Sequence, residues 1–412
     1  MSGPRELPLE HYLDADDVLL VVRPTASNLP EIFIAMHVDG TVRAFSGHVD
    51  LGTGIRTALA QIVAEELDIA VERVSMVLGT TSAAPDQGPT IASETIQVTA
   101  IPLRQAAATA RAHLLGRAAA LAGVEVDALS VRDGTIRRGD WTTSYAELIA
   151  GHHERIEIDV SAQVKSPGDY RIVGQSARRN DIAGKALGQW TYVHDVRVPG
   201  MLHGRVIRPP HAGFDHGEMV GRSLVAVDER SVADIPGLVA VVTEGDFVGV
   251  VATREESAVE AMNRLKVIWR EQPVRPDLNR VEESLRGNPS DKTRLLKESG
   301  DVETALAGAR EVMRRTYVWP YQMHGSIGPS CAVADWRDGK LVAWSGTQNP
   351  HWMRRDLALL LSMPEEDIVV ERLEAAGCYG RNCADDVTAD AALLSRAVGR
   401  PVRVQLTREQ EH

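Results

Sequence analysis

The chain has 412 residues, 44% apolar and 25% charged, with a formal charge of −12 from 57 acidic against 45 basic residues. This length suits two or three domains that fold without disulfide or metal staples, and the composition is that of a globular protein. The acidic balance excludes a basic nucleic-acid binder, since phosphate neutralisation needs a positive face.

A first block, residues 1–165, opens with strands over Asp17–Val22 and Glu31–Met36, both short and rich in Val, Ile and Leu. Thr41–Asp50 follows the turn signal Asp39-Gly40. Ile55, Leu59, Ile62, Val63 and Leu67 recur at the helical period and predict a helix over Arg56–Leu67. Glu72–Leu78 reads as a strand and Thr80–Pro89 as a loop. Ile91–Leu121, mostly Ala and Leu with Arg interspersed, predicts one long helix. A shorter strand, helix and strand close the block.

Ser166-Pro167-Gly168-Asp169 and the polar stretch Ser176–Asp181 read as a linker into a second block, residues 166–290. Strands are expected over Gln189–Val196, Met201–Arg208 and Leu238–Thr243, and helices over Ser231–Ile235 and Glu255–Leu265. Pro273–Pro276 and Arg286–Ser290 mark the next boundary. The third block, residues 291–412, alternates regularly. A hairpin joins Ala332–Asp335 to Lys340–Ser345, then come a helix (His351–Leu361), a strand (Asp367–Leu373), a helix (Asp385–Val398) and a strand (Pro401–Leu406).

The cysteines are Cys331, Cys378 and Cys383, an odd number without secretory context. They are too few to ligate a structural zinc or an iron–sulfur cluster unaided. Met1–Asp17 lacks the basic and apolar regions of a signal peptide. Runs such as Val18–Val22 fall far short of a membrane span of about 20 residues. A soluble, cytoplasmic chain is expected.

Three constellations could carry chemistry. In His48–Thr57 a strand runs through Gly52-Thr53-Gly54 into a helix, whose first N–H groups suit anionic oxygens. The bland alternative is a plain strand-to-helix turn, and the third glycine of a dinucleotide fingerprint is missing. In Gln87–Thr95, Thr90, Ala92, Ser93 and Thr95 surround a helix start, where hydroxyls cap N–H groups or grip a phosphate. In Ser345–Pro350 and Ala376–Asn382, two loops follow strands and precede helices, the position where open α/β sheets bind ligands. Gln348 offers an amide there, and Gly377 and Gly380 free main-chain N–H groups. His324 reads as a packed or capping residue.

Together these segments resemble the molybdopterin-binding large subunit of the xanthine dehydrogenase/aldehyde oxidase (molybdenum hydroxylase) family. The resemblance is closest to the isoquinoline 1-oxidoreductase and nicotinate dehydrogenase branch. It is carried by Gly47–Leu67, Pro85–Thr90, Tyr192–Val196, Pro199–Pro210, Gly346–Pro350 and Gly377–Asn382, in that order. It implies a mixed α/β, multi-domain fold. Residues 1–165 and 291–412 would be molybdopterin-binding segments flanking an a/b-hammerhead domain at 166–290.

The resemblance also implies roles. Gln348 matches the glutamine that hydrogen-bonds an oxygen ligand of molybdenum, and Tyr379 and Gly380 the aromatic-Gly pair that lines the metal. Gly52, Thr53, Gly54, Thr90, Ala92, Ser93, Thr95, Gly377, Gly380 and Arg381 would hold the pterin cofactor, in its cytosine dinucleotide form. The implied reaction is oxidative hydroxylation of an N-heteroaromatic or aldehyde substrate. Electrons would pass to 2Fe-2S clusters on a small subunit, then to a flavin or cytochrome acceptor. No protein metal ligands are expected.

Two departures stand out. Thr53 occupies the middle of a Gly-Gln-Gly pattern, and no residue matches the family's catalytic glutamate. The expectation is therefore a split enzyme, with a second chain carrying that glutamate and packing on apolar surface of the first and third blocks. The competing expectation is a non-catalytic remnant or scaffold that binds partner subunits without turnover.

Overall fold

The computed structural model describes residues 5–26, 29–210, 221–271, 277, 279–287, 292–320, 322–380 and 386–411. Its first sheet comprises β1 (Val18–Arg23), β2 (Glu31–His37), β3 (Val42–Ser46), β4 (Val74–Leu78) and β8 (His153–Glu157), in the order β4-β3-β2-β1-β8. A small meander, β5 (Ser130–Arg132), β6 (Thr135–Arg138) and β7 (Trp141–Ser144), sits beside it. β1 is apolar at successive positions because both faces are covered. Leu19 and Val21 enter a core with the helices Ile55–Leu67 and Ala100–Ala122, while Val18, Leu20 and Val22 pack with Tyr12 and Phe45.

The long helix starts later than its composition predicts. It spans Ala100–Ala122, preceded by a π turn over Thr95–Thr99. Upstream, Ala92 (φ +52°) and Ser93 (φ +60°) are left-handed. Tertiary bonds take the backbone there: Thr90 N–H donates to the Gln348 carbonyl at 2.9 Å, so helical pairing is not available to it.

The expected linker at 166–181 is clasped to the first unit. The buried Glu65 carboxylate accepts the N–H groups of Arg171, Ile172 and Val173, and Gln61 donates to the carbonyls of Ile172 and Gln175. Burial pushes the Glu65 carboxyl up, but these N–H groups and Lys165 outweigh it, so its pKa is lowered.

A second sheet contains β9 (Leu202–Val206), β11 (Leu238–Glu244), β12 (Phe247–Ala252), β14 (Cys331–Arg337), β15 (Lys340–Ser345), β16 (Ile368–Arg372) and β17 (Val402–Gln405). Its order is β11-β12-β9-β17-β14-β15-β16, so it draws strands from both sides of residue 290. β10 (Leu224–Asp228) and β13 (Lys266–Trp269) pair separately. The helices Pro350–Leu361 and Asp386–Val398 supply Leu357, Leu361 and Leu394 to its core.

Two further expectations fail locally. Gln189–Val196 forms no strand; it carries a 3-10 turn over Val193–Asp195 closed by the Asp195 side chain on Tyr192 N–H. Ser231–Ile235 is replaced by a single 3-10 turn, Glu229–Val232. Apolar side chains stand exposed at Ile91, Ile96, Val98 and Ile101 on the first unit, and at Leu359 and Leu360 on the third. Within 292–327 the described chain has one short helix, Val302–Gly308, and exposes Leu296, Met313, Trp319 and Ile327.

Candidate functional site

A cavity of about 590 Å³ lies where the two sheets' loops meet. Asp50, Leu51 and Gly52 form one wall, and Gly346, Arg372 and Glu374–Tyr379 the facing wall. Lys185, Tyr192, His194, Asp195 and Ile327 complete the lining.

The first wall follows β3 and leads into the helix Ile55–Leu67. Its buried Asp50 accepts from Gly52 N–H (2.8 Å) and Gly54 N–H (3.1 Å) through Oδ1, and from Arg56 N–H (3.1 Å) through Oδ2. The N–H groups that the sequence offers to an anion here are thus already held by an internal carboxylate. Gly52 has φ +98°, and a Cβ built on it meets nothing within 4 Å. Thr53 is exposed and does not line the cavity. Gly54 has φ +83° and lies against the Arg179 side chain.

The second constellation braces the site from behind. Gln87 accepts Gly47 N–H (2.9 Å) and donates to the Thr99 carbonyl (2.9 Å). Thr90 Oγ1 accepts Val49 N–H at 2.9 Å, and the buried His48 ring meets Thr95 Oγ1 at 2.8 Å. Burial lowers the His48 pKa, keeping the ring neutral. Thr90 and Thr95 therefore spend their hydroxyls tying loops together, and Ala92 and Ser93 stand exposed outside the cavity lining.

Gln348, 6% exposed, links this brace to the facing wall. Its Nε2 donates to the Thr90 carbonyl at 2.9 Å, and its Oε1 accepts from Cys378 Sγ at 3.0 Å. Gly377 (φ +104°) and Gly380 (φ +125°) turn the backbone beyond β16, and Tyr379 stands half-exposed among the lining residues. The exposed His324 sits against Gly380 rather than being packed in the core. Arg381, with Asn382 and Cys383, lies outside the described residues.

The sequence reading missed the charged part of the lining. Lys185 pairs with Asp181 and Glu374, and Arg179 with Asp181. The Arg179 guanidinium, against the opposing effect of burial and with Lys185 beside it, holds the Asp181 carboxyl far below the usual range. Burial lowers the Lys185 pKa, but the two carboxylates outweigh it and raise it overall. Arg372 carried one faint signal, closing an otherwise apolar strand with Glu371, while Glu374 lies beyond that strand. Among the described residues, no group of three or more His, Cys, Asp or Glu could hold a metal ion, and no helix is long and apolar enough to cross a membrane.

Models of molybdopterin cofactor-binding domains match residues 20–194 and 287–412. A nicotinate dehydrogenase subunit of Pseudomonas putida is 58% identical over 383 residues, covering 92% of this chain and 32% of that protein. The beta subunit of isoquinoline 1-oxidoreductase from Brevundimonas diminuta is 28% identical, over 93% of this chain and 54% of that protein. A membrane-bound aldehyde dehydrogenase (pyrroloquinoline-quinone) of Gluconacetobacter polyoxogenes is 26% identical, over 93% and 51%. The chain thus spans between a third and about half of the length of these curated relatives. With both molybdopterin-binding segments present in order around one cavity, the chain belongs to the large-subunit family of the molybdenum hydroxylases.

Proposed function

We propose that the chain forms one part of the molybdenum–pterin site of a split molybdenum hydroxylase. The carrying observation is the position of the cavity. Apart from Asp195, every lining residue belongs to one of the two segments that match molybdopterin-binding domains, so the cavity is the seam between them. Its volume suits a cofactor. The open space over Gly52 admits close approach, and Glu374 Oε1 is a buried polar atom without a partner among the described residues, as expected beside a polar heterocycle. The residues present fit the group. One curated relative is named for pyrroloquinoline quinone, but both matching domain models are molybdopterin-binding, and the proposal follows them.

Bound there, a molybdenum–pterin centre would supply oxidative hydroxylation of an electron-poor carbon. The chain's own residues position it. Gln348 stands behind the lining residue Cys378; its Nε2 spends one hydrogen on the Thr90 carbonyl, and the second is the one the family resemblance would give to an oxygen ligand. Gly52 and Gly377 line the cavity with main chain, Tyr379 lines it half-exposed, and Gly380 follows directly on it. Thr90 and Thr95 act through the loops they tie, while Gly54, Thr53, Ala92, Ser93 and Arg381 would contact the cofactor, in its cytosine dinucleotide form, on the strength of the family resemblance alone. The three-segment division, with a hammerhead domain at 166–290, belongs to the same proposal.

A second chain would bring the catalytic glutamate, and a small subunit the 2Fe-2S clusters leading to a flavin or cytochrome. The names of the relatives as subunits and the exposed apolar side chains of 292–327 support this. An N-heteroaromatic substrate is favoured over an aldehyde by the 58% identity to a nicotinate dehydrogenase subunit. The buried Cys331 is a free thiol, and a cytoplasmic site of action belongs to the same proposal.

The test is to purify the chain together with the polypeptides encoded beside it, under ample molybdate. Stoichiometric molybdenum and pterin are expected. Their absence overturns the enzyme reading and favours the scaffold. Hydroxylation of a heterocycle by the 412 residues alone would overturn the split arrangement.

A further inference from the structure

β16 ends at Arg372, and the chain runs on to Glu374, which makes an isolated parallel bridge with Tyr192. Residues two apart on extended backbone face the same way, and both side chains line the cavity. Their partners differ. Glu374 pairs with Lys185. Arg372 Nε reaches only the Thr347 carbonyl, at 3.4 Å, and among the described residues no carboxylate comes within ion-pair distance of its guanidinium.

The neighbouring acids act on Arg372 through space but form no ion pair with it among the described residues, and Glu374 meets Lys185 through Oε2 alone. Asp50 accepts three main-chain N–H groups, and Lys185 offsets Glu374. Burial pushes the Arg372 pKa down to about 10, which leaves it charged at neutral pH. A guanidinium presents five N–H donors, and Arg372 is part-buried in the cavity wall, where a cation gains from an acceptor that water supplies only in part. The terminal nitrogens of Arg372 donate to nothing among the described residues, and the cavity is what they face.

We propose that Arg372 is an oxyanion-binding residue of this cavity, gripping a carboxylate or phosphate group of the occupant through paired N–H donors. The proposal rests on the hydroxylase reading only for the source of that anion. One source is the carboxylate of an N-heteroaromatic acid substrate; the other is the phosphate of the pterin cofactor. With Asp50 filling the N–H groups of the opposite wall, Arg372 takes over the anion recognition that the glycine loop forgoes.

The test compares wild type with Arg372→Met and Arg372→Lys, each purified with its partner polypeptides and also as the full chain free of cofactor. Molybdenum and pterin contents are measured first, and thermal melting reports folding. Calorimetric titration then uses nicotinate, its neutral amide nicotinamide, and inorganic phosphate. If the anion is the substrate's, wild type binds nicotinate about 10- to 100-fold tighter than nicotinamide. The Met variant then loses that difference and Lys restores part of it. If the anion is the cofactor's, phosphate binds the cofactor-free chain, the Met variant loses it, and the two pyridines bind alike. Should Met fail to fold, the Lys variant and the salt dependence of binding to wild type carry the same comparison. Equal binding of both anions to wild type and to a folded variant overturns the proposal, as does absence of anion binding to wild type at millimolar concentration. A complex without molybdenum would overturn the hydroxylase reading, while the anion titration on the same chain still decides the role of Arg372.

Discussion

The two glycine loops that face each other across the cavity are held by opposite means. The Asp50–Arg56 loop is fixed by hydrogen bonds to a single buried carboxylate, with room left over Gly52. The Ala375–Gly380 loop is fixed by close approach. A Cβ on Gly346 would lie 2.6 Å from Ala375, one on Gly328 2.7 Å from Ala376, and one on Gly380 2.6 Å from His324. The hydrogen-bonded wall has spent its N–H donors and offers space. The packed wall is tighter and carries a guanidinium that has no ion pair among the described residues. Space and charge for a ligand thus come from different parts of the chain.

Substitutions should separate the two designs. Asp50→Ala strands three N–H groups at once and should cost about 3–5 kcal/mol in urea unfolding, with Asp50→Asn recovering part. A loss no larger than that of a surface mutation would refute the hydrogen-bonded design. Next in size is a pH effect at the junction of the two units. His351 is buried on the helix Pro350–Leu361 near Asp86, which Arg355 also engages. Burial pushes its pKa from 6.5 down to about 4. Between those values the unfolded chain binds a proton that the folded chain refuses. Stability should be full above pH 6.5 and fall by up to about 3 kcal/mol on acidification to pH 4. Replacing His351 by Leu should flatten that segment of the pH–stability profile.

Smaller contrasts sharpen the comparison. Gly380→Ala must displace the His324 ring as well as strain the backbone, and should cost about 2 kcal/mol. Gly52→Ala adds strain alone, about 1 kcal/mol, yet should weaken cofactor retention more, because the open space is where a ligand approaches. Equal melting temperatures for the two variants would remove the distinction. Last, iodoacetamide should label Cys378 in the native chain and spare Cys331 until denaturation. Cys331 is 3% exposed and its thiol is pushed up to about 11 by burial. Mass spectrometry reads the outcome.

Local pattern made much of the fold legible. The apolar runs of β1 and β2, the periodic helix Ile55–Leu67 and the hairpin β14–β15 lie within a residue or two of expectation, because each is specified by its own spacing. The failures are places where distant contacts overrule propensity. Thr90–Thr99 is rich in helix-compatible residues, yet the Thr90 backbone is claimed by Gln348 and its hydroxyl by Val49 N–H. The stretch 166–181 is polar and Pro-Gly-bearing like a free linker, yet Glu65 binds it from a helix about a hundred residues upstream. At the site, Gly52, Gly377, Tyr379 and Gln348 were visible as motif residues. Lys185 and Glu374 were not, and Arg372 only faintly, since an isolated charge near an apolar strand has no signature.

The sequence by itself determined the family, the order of the two cofactor-binding segments and the glycine turns, because each is written in contiguous residues. Only the tertiary structure decided how those turns are used. The Asp50 carboxylate lies within hydrogen-bond reach of its own loop, whereas the Arg372 guanidinium forms no ion pair among the described residues, because Glu374 meets Lys185 and Asp50 meets its own loop. Whether a charge is spent or free depends on which oxygens surround it in space, and residue spacing does not encode that.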